Sequence, residues 1–187
     1  MENIKQISDL VERECKKKSN YFGYGIWSHH IISVVKYAKL LAKKLNADIE
    51  VVELAALLHD YSSIKNKDFY EKHHIHSAKL AEEILIEFDY SKDIIEKVKN
   101  CILNHRSSQI NNRKTIESKI VADADSMSHF DNIGSLFYLA FFSHGMGIDE
   151  GNDWLINKLK QGWNKLSLEE SKESIKPKYG AAMLLLS

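Results

Sequence analysis

The stretch from Val51 to Asp60, VVELAALLHD, constrains the fold more than any other part of the chain. Before His59 its only polar residue is Glu53, so it does not fit an amphipathic surface helix and is predicted to be a helix buried on nearly all sides. It ends in His59 and Asp60, two ionisable side chains whose burial is costly unless something pairs with them. Adjacent helical side chains point about 100° apart. One divalent metal beyond the helix end, with further ligands from elsewhere, is therefore a suitable partner for both.

Length, charge and cysteine content limit the class of protein. A chain of 187 residues suits one domain with a substantial core. The 26 Lys and Arg residues balance 26 Asp and Glu residues, so no basic field favours a nucleic acid polymer as partner. Cys15 and Cys101 lack metal or redox spacing, no apolar run approaches the ~18 residues of a membrane span, and the N-terminus has no signal-peptide core. We therefore expect a cytoplasmic protein without a membrane partner.

Apolar residues recur at helical spacing along the whole chain, and no alternating strand pattern interrupts them. The predicted helices are Asn3–Lys18, Ser28–Leu45, Val51–Asp60, Ser77–Phe88, Ser91–Leu103, Thr115–Met127, Ile133–Phe142 and Trp154–Trp163, followed by a last helix that a capping box of Ser167 and Glu170 opens. The polar segments Tyr61–Asp68 and Ser107–Lys114 are predicted to be loops. This pattern predicts an all-α fold, an orthogonal helical bundle.

Five ionisable residues stand at the edge or end of predicted apolar helices, where a side chain can reach a common cavity between helices. They are His30, His59, Asp60, His105 and Asp125. Mixed imidazole and carboxylate ligands suit iron, manganese, zinc, cobalt or nickel better than an all-oxygen calcium or magnesium site. Paired cysteines are missing from the sequence, which excludes a zinc finger. We expect a divalent transition metal whose identity stays open.

The order of these residues resembles the HD superfamily of metal-dependent phosphohydrolases, which is named for its H…HD…D pattern. His30 stands first, His59 and Asp60 follow an apolar AALL run, and Asp125 lies far downstream. VVELAALLHD is very similar to the second motif of the family, WSHHIISVVKYAKLLA to its first helix and IVADADSMSHF to its last motif.

That alignment selects His30 over His29 and Asp125 over Asp123 as ligands. The resemblance covers roughly Ile26 to Phe130. It implies a single domain over residues 1–187, with an HD-like core at 26–130 and C-terminal helices at 131–187 packed on it.

Some members of the superfamily bind a second metal through two more histidines. His73 precedes Ser77-Ala78 with the spacing of that branch, and NCILNHRSS places His105 likewise, while His74 remains an alternative to His73. If both histidines bind, Asp60 would bridge two ions ~3.5–4 Å apart. If neither does, the site holds one ion with four ligands. A GYP-type signature does not follow His105, which argues against the cyclic-dinucleotide branch.

The resemblance implies hydrolysis of a phosphate ester or anhydride, of a nucleotide or another small phosphorylated metabolite, by metal-activated water. Asp60 and His59 would act in catalysis as ligands. Arg106, directly after His105, is the first candidate to orient the substrate, because a guanidinium can grip two phosphoryl oxygens. Weaker candidates are Arg113 and Lys114 for the phosphate, and Trp27 and Phe130 for stacking on a base.

Two other functions stay open at this point. Six-ligand sites of this type also resemble those of HD-type di-iron oxygenases, which use O2 instead of water. A metal could also stabilise a non-catalytic nucleotide-binding module. The terminal AAMLLLS segment is expected to pack on the core or on a second subunit, so a homodimer is left open.

Overall fold

The computed structural model describes residues 2–106 and 112–186, and within these ranges the chain forms helices and no strand. The α-helices are α1 (Glu2–Cys15), α2 (Ile32–Leu45), α3 (Ile49–Leu58), α4 (Tyr61–Lys65), α5 (His73–Glu87), α6 (Lys92–Asn104), α7 (Ile116–Asp131), α8 (Ile133–Phe137), α9 (Ile148–Lys165) and α10 (Glu169–Leu186). A π-helical turn at Trp27–Ile31 leads into α2, another at Tyr138–Ser143 follows α8, and a 3-10 turn at Lys67–Lys72 precedes α5. The prediction of an all-α helical bundle is confirmed.

Helix α3 lies at the centre of the bundle, where α1, α2, α6 and α7 pack around it. From Val51 to Leu58 its apolar residues are at most 2% exposed, as the sequence predicted. The polar residue within this stretch, Glu53, forms an ion pair with Lys39 across 2.6 Å. Asp48 caps the N-terminus, where its Oδ1 accepts a hydrogen bond from the Val51 amide at 3.2 Å. Since α3 ends at Leu58, the two residues that follow are delivered into the interior of the fold.

The prediction of a loop at Tyr61–Asp68 is wrong, because most of this segment forms α4 and the following 3-10 turn. Ser62 is fully buried. Its amide donates to Ser77 Oγ at 3.1 Å, and its hydroxyl donates to the carbonyl of His73 at 3.2 Å. One of the polar residues that suggested a loop, Ser62, is therefore satisfied inside the protein, while residues 65–68 are exposed. The contacts of Ser62 fix the start of α5, which begins at His73 instead of Ser77.

Helix α7 carries the C-terminal part of the chain. It continues to Asp131, four residues past the predicted end at Met127. Asp123 is buried within it and accepts hydrogen bonds from the amides of Ser167 and Leu168 at 2.9–3.0 Å. The hydroxyl of Ser167 also donates to Asp123, at 3.1 Å. Ser167, which lies between α9 and α10, therefore connects the junction of these two helices to α7.

A second polar contact fixes α10. Asp131, at the end of α7, accepts a hydrogen bond from Tyr37 Oη at 2.6 Å and pairs with the ammonium of Lys178. This joins α2, α7 and α10. Of the predicted loop at Ser107–Lys114, residues 107–111 lie outside the described residues. In the part of the chain that is described, no helix combines the length and apolar character needed to cross a bilayer.

Candidate metal centre

Four predicted ligands meet where the start of α2 and the end of α3 pack against α7. His30, His59 and Asp60 offer ligand atoms that all lie within 4.8 Å of one another. Asp60 Oδ2 is 3.3 Å from His30 Nε2 and 3.4 Å from His59 Nε2. Asp125 Oδ1, from α7, is 3.5 Å from His30 Nε2 and 3.9 Å from His59 Nε2. Two imidazoles and two carboxylates therefore converge on one point.

The second group of candidate ligands shares Asp60 with the first. Asp60, His73 and His105 also lie within 4.8 Å of one another through their ligand atoms. His73 Nε2 is 3.4 Å from Asp60 Oδ1 and 2.9 Å from His105 Nε2. The alternative ligand, His74, is not part of this group. Its buried Nδ1 makes no hydrogen bond with the described residues. The structure therefore brings His73 to the centre and leaves His74 aside, while both remain predictions as ligands.

Each of three histidines is oriented by the backbone three residues before it. Their Nδ1 atoms lie at hydrogen-bond distance from a carbonyl oxygen near the end of a helix or turn, where carbonyls lack partners within the helix. The pairs are His59 with Ala56 at 2.8 Å, His73 with Tyr70 at 2.7 Å, and His105 with Ile102 at 2.6 Å. Since a carbonyl only accepts, each Nδ1 carries a proton, and Nε2 is the ring atom that presents a lone pair when the imidazole is neutral.

A hydroxyl orients the fourth histidine in the same way. Ser128 donates to the carbonyl of Asp125 at 2.7 Å, so its oxygen is free to accept the Nδ1 proton of His30 at 2.9 Å. His30 Nε2 therefore also presents a lone pair, and it faces His59 Nε2 at 3.2 Å. Because the pKa of His59 is raised to about 9, its Nε2 can carry a proton and donate it to His30 Nε2. A divalent cation would take the place of that proton and accept both lone pairs, so the residues present fit a metal.

The electrostatic environment favours positive charge at this centre. Burial opposes ionisation of Asp60, yet the charges of His59 and His73 hold its pKa well below the usual range. Burial also opposes ionisation of Asp125, but nearby imidazoles, led by His129, lower its pKa to about 2. For His59, burial lowers the pKa, but the combined effect of Asp60, Asp125 and the hydrogen bond to Ala56 raises it to about 9. Two ionised carboxylates therefore attract a cation to a point where four imidazole nitrogens are available.

Both groups open into one cleft of about 760 Å³, which the candidate ligands line together with residues from α7, α8 and α9. Its wall includes apolar side chains, aromatic side chains and two lysines. The aromatic residues include Tyr70, Tyr138 and Trp154, and the lysines are Lys158 and Lys165. The cleft is within the range of small-molecule sites, which combine apolar walls with a few polar groups. The geometry is therefore that of a candidate metal centre with room for a substrate.

The two arginines near His105 have different surroundings. Arg106 lines the cleft, donates to the carbonyl of Glu71 and lies 3.8 Å from its carboxylate. Arg113 is only 5% exposed and donates to the carbonyls of Asn104 and His105, each at 3.0 Å. Its guanidinium therefore holds the end of α6 in place and is not available to a substrate. Arg106 stays a prediction for substrate binding.

The remaining weaker candidates lie away from the cleft. Lys114 is exposed, and Trp27 and Phe130 are each only 8% exposed within the core. Phe130 packs edge-on against the ring of Tyr179. Neither aromatic side chain is among the residues that line the cleft, so the structure does not support them as stacking platforms for a base.

Sequence reasoning missed His129 and the lysines of α9. The ring of His129 stacks on that of His30, with centroids 5.5 Å apart, and it lines the cleft. Burial lowers its pKa to about 3, so its imidazole is neutral at physiological pH. Its position four residues after Asp125, on the same face of α7, is a signal that could have identified it. Lys158 and Lys165 have no such local signal, because packing of α9 alone brings them to the cleft.

A family model matches more than half of the chain. The family model described as HD domain matches residues 27–129 of the 187. An uncharacterized protein from Clostridium beijerinckii is 31% identical over 85 residues, which make up 44% of this chain and 54% of that protein. The matched region therefore spans about half the length of this curated relative.

Solved structures show a similar fold along nearly the whole chain. The Lin1889 protein from Listeria innocua is 23% identical with a TM-score of 0.74, and Bacillus subtilis YpgQ, solved in complex with ADP, is 20% identical with a TM-score of 0.76. Both matches cover 99% of this chain and 92% of the other. An HD-superfamily hydrolase from Bacillus thuringiensis is 20% identical with a TM-score of 0.70, over 95% and 89% of the two chains. At these identities the likeness is one of fold.

Proposed function

The chain belongs to the HD domain family, and from this membership we propose that it is a metal-dependent phosphohydrolase that cleaves a phosphate ester or anhydride of a nucleotide or another small phosphorylated metabolite. One observation carries the proposal. Two pairs of imidazoles share one carboxylate, that of Asp60. The Nε2 atoms of His30 and His59 are 3.2 Å apart, and those of His73 and His105 are 2.9 Å apart. Such an arrangement fits divalent metal ions, and it lies on the wall of a cleft large enough for a nucleotide.

The first metal position would be held by His30, His59, Asp60 and Asp125, and a second by Asp60 with His73 and His105. When bound, a divalent metal supplies a water whose pKa is lowered from 15.7 toward ~7 and offsets charge on the phosphoryl oxygens. Asp60 is ionised throughout the physiological range because its pKa is held well below the usual value. Its two oxygens face different imidazoles, Oδ2 toward His59 and Oδ1 toward His73. This supports one carboxylate shared between two ions.

Arg106 is proposed to orient a phosphoryl group at the mouth of the centre. Its present partner, the carboxylate of Glu71, is 82% exposed and 3.8 Å away, so this ion pair is weak. A bidentate contact with a phosphoryl group is stronger, because both partners are charged and the two hydrogen bonds run in parallel. Arg106 can therefore give up the ion pair with the Glu71 carboxylate for the substrate at little cost, while Nη1 donates to the Glu71 carbonyl.

The cleft favours a substrate with an apolar, flat part as well as a phosphate. Tyr138 and Trp154 line it together with the candidate ligands, and aromatic rings offer stacking surfaces to a base. The similarly folded YpgQ was solved with ADP. For this chain, a nucleotide is the substrate class that combines a stacking surface with a phosphoryl group.

The test is a metal analysis followed by a substrate screen. Protein purified without added metal is assayed for bound transition metals and then for phosphate release from nucleotides and small phosphomonoesters, under anaerobic conditions. We expect one or two ions per chain and release that stops after chelation and returns when metal is restored. Bound iron with substrate-dependent oxygen consumption would instead indicate a di-iron oxygenase. Nucleotide binding without turnover would indicate a non-catalytic module.

A further inference from the structure

We propose that Lys158 and Lys165 of α9 form an anion-binding subsite that receives a second phosphoryl group of the substrate, next to the group that reacts at the metal centre. The inference deepens the proposed function and rests on it. It names the substrate class more narrowly: compounds with at least two phosphoryl groups are preferred over those with one.

Both lysines lie on the face of α9 that forms the cleft wall. They are seven residues apart, which places them on the same side of the helix and roughly 10 Å apart along its axis. Between them Gly162 also lines the cleft, so the cleft wall is continuous from one lysine to the other. The flexible stems of both lysines allow their ammonium groups to reach one anion.

Neither lysine has a partner for its charge. Both side chains are half-buried, and neither ammonium forms an ion pair or hydrogen bond within residues 2–106 and 112–186. Lys99, also of intermediate exposure, lies 2.9 Å from the carboxylate of Glu82, whereas Lys119 and Lys172 have no side-chain partner among the described residues either. Lys158 and Lys165 differ from that second pair because both line the cleft. A half-buried ammonium without a counter-charge is costly, and a ligand in the cleft can supply the counter-charge to both.

The electrostatics of the cleft agree with this reading. Burial lowers the pKa of Lys165, and the neighbouring charges of Lys158 and Arg113 lower it further. The charge of Asp125 also acts on Lys165, so the lysine lies within reach of the metal centre. A multiply charged anion placed between the lysines would remove their mutual repulsion. Lysine is a common point-charge partner of phosphate in such sites.

A backbone contact links the subsite to the metal centre. The carbonyl of Lys165 accepts a hydrogen bond from Arg113 Nη1 at 3.5 Å, and the same guanidinium donates to the carbonyl of His105 at 3.0 Å. The end of α9 and the end of α6 are therefore held by one side chain. This arrangement fixes the position of the subsite relative to the candidate ligand His105.

The experiment compares two phosphonates that the protein cannot hydrolyse. Titration calorimetry of the metal-containing protein measures the affinity for methylphosphonate and for methylenediphosphonate, at fixed ionic strength and with metal content checked before and after. The variants are Lys158→Gln and Lys165→Gln. The control is Lys160→Gln, which removes the same charge from an exposed position of α9. Lys158→Arg and Lys165→Arg, which keep the charge, test for rescue.

We expect each Gln variant at the subsite to bind methylenediphosphonate about tenfold more weakly or worse, because each loses a charge-assisted contact. Methylphosphonate affinity should change by less than about threefold in the same variants, since a single phosphoryl group stays at the metals. The Arg variants should recover most of the lost affinity, which shows that the Gln proteins are folded but lack charge. The inference is overturned if both Gln variants bind methylenediphosphonate as tightly as Lys160→Gln does.

The experiment distinguishes a failure of the subsite from a failure of the proposed function. Lysine-dependent binding of the diphosphonate, without phosphate release from any substrate, would support the subsite and contradict the phosphohydrolase. Hydrolysis of phosphorylated compounds at rates that neither Gln variant alters, with unchanged diphosphonate affinity, would support the phosphohydrolase and overturn the subsite.

Discussion

His73 and His105 face each other with their Nε2 atoms 2.9 Å apart, and each is held from behind by a backbone carbonyl of its own helical segment. The two rings are therefore oriented by local backbone geometry, and no contact between the rings is required to place them. The same holds for His59, whose Nδ1 lies 2.8 Å from the carbonyl of Ala56. Hydrogen bonds from the second ring nitrogen to backbone oxygens are also what orients histidines that bind metals.

Loss of the central pair should remove metal and activity together. His59→Ala and Asp60→Ala each delete a ligand at a position that is buried or nearly so, where water cannot easily replace it. We expect metal content and phosphate release to fall in parallel, and chelation of the wild type to lower its melting temperature. The measurements are elemental analysis, an activity assay and thermal melting. Asp68→Ala, which removes an exposed carboxylate, is the control; full metal content in Asp60→Ala would contradict the metal centre.

Stoichiometry separates one metal from two. In a two-metal centre, His73→Ala and His105→Ala should each lower the metal content from about two ions per chain toward one. His74→Ala should leave it unchanged, because His74 lies outside the group formed by Asp60, His73 and His105. Elemental analysis of the three variants beside the wild type makes the comparison. A wild type with one ion, unaffected by His73→Ala, would leave a single site of four ligands.

Asp123 and Asp125 are neighbours in the sequence with different roles, and matched variants should separate them. Asp123→Asn places an amide NH2 close to the backbone donors of Ser167 and Leu168, so we expect a loss of about 1–3 kcal/mol in unfolding free energy with metal content retained. Asp125→Asn should instead lower metal content. Urea unfolding and elemental analysis on the same preparations test both. Loss of metal in Asp123→Asn with unchanged stability would reverse the assignment.

The contact between α9 and the π-helical turn predicts a destabilising glycine substitution. A Cβ added at Gly151 would overlap the ring of Phe141, whereas one added at Gly180 in α10 would meet nothing within 4 Å. Gly151→Ala should therefore cost about 1–3 kcal/mol through overpacking. Gly180→Ala should be neutral or stabilising by up to about 1 kcal/mol, because alanine favours the helix. Equal effects of the two substitutions on urea unfolding would show that Phe141 moves aside freely.

A buried thiol predicts how stability depends on pH. Burial raises the pKa of Cys15 to about 12, while an unfolded thiol titrates near ~8.5. The unfolded state therefore loses its proton first, and the contribution of Cys15 to stability is complete below pH ~8.5 and falls as pH rises toward 12. The slope is about 1.4 kcal/mol per pH unit. Urea unfolding of the wild type and of Cys15→Ala measures the effect. Above pH ~8.5 the unfolding free energy of the wild type should fall relative to that of Cys15→Ala. A constant difference between the two unfolding free energies up to pH ~10.5 would contradict this prediction.

Properties of consecutive residues could be predicted from the sequence. The buried helix α3 and its cap at Asp48 follow from the apolar run and from local hydrogen bonding, which do not depend on distant parts of the chain. The candidate ligands were found because they stand at the edges or ends of predicted helices and in the order that resembles the HD superfamily. The loop at Tyr61–Asp68 was misjudged because Ser62 bonds to α5, and the sequence does not show which polar residues find partners inside the fold.

The tertiary structure alone decided which side chains face the common centre. Whether His73 or His74 points toward Asp60 depends on the rotation of α5, which the buried contacts of Ser62 with Ser77 and His73 set. Arg113 and Arg106 look alike in the sequence, yet one is buried against the end of α6 and the other lines the cleft. Lys158 and Lys165 reach the cleft because α9 packs against α7, and the hydrogen bonds of Asp123 hold the junction that follows α9. Local periodicity shows which face of a helix is apolar, but packing determines what its polar residues meet.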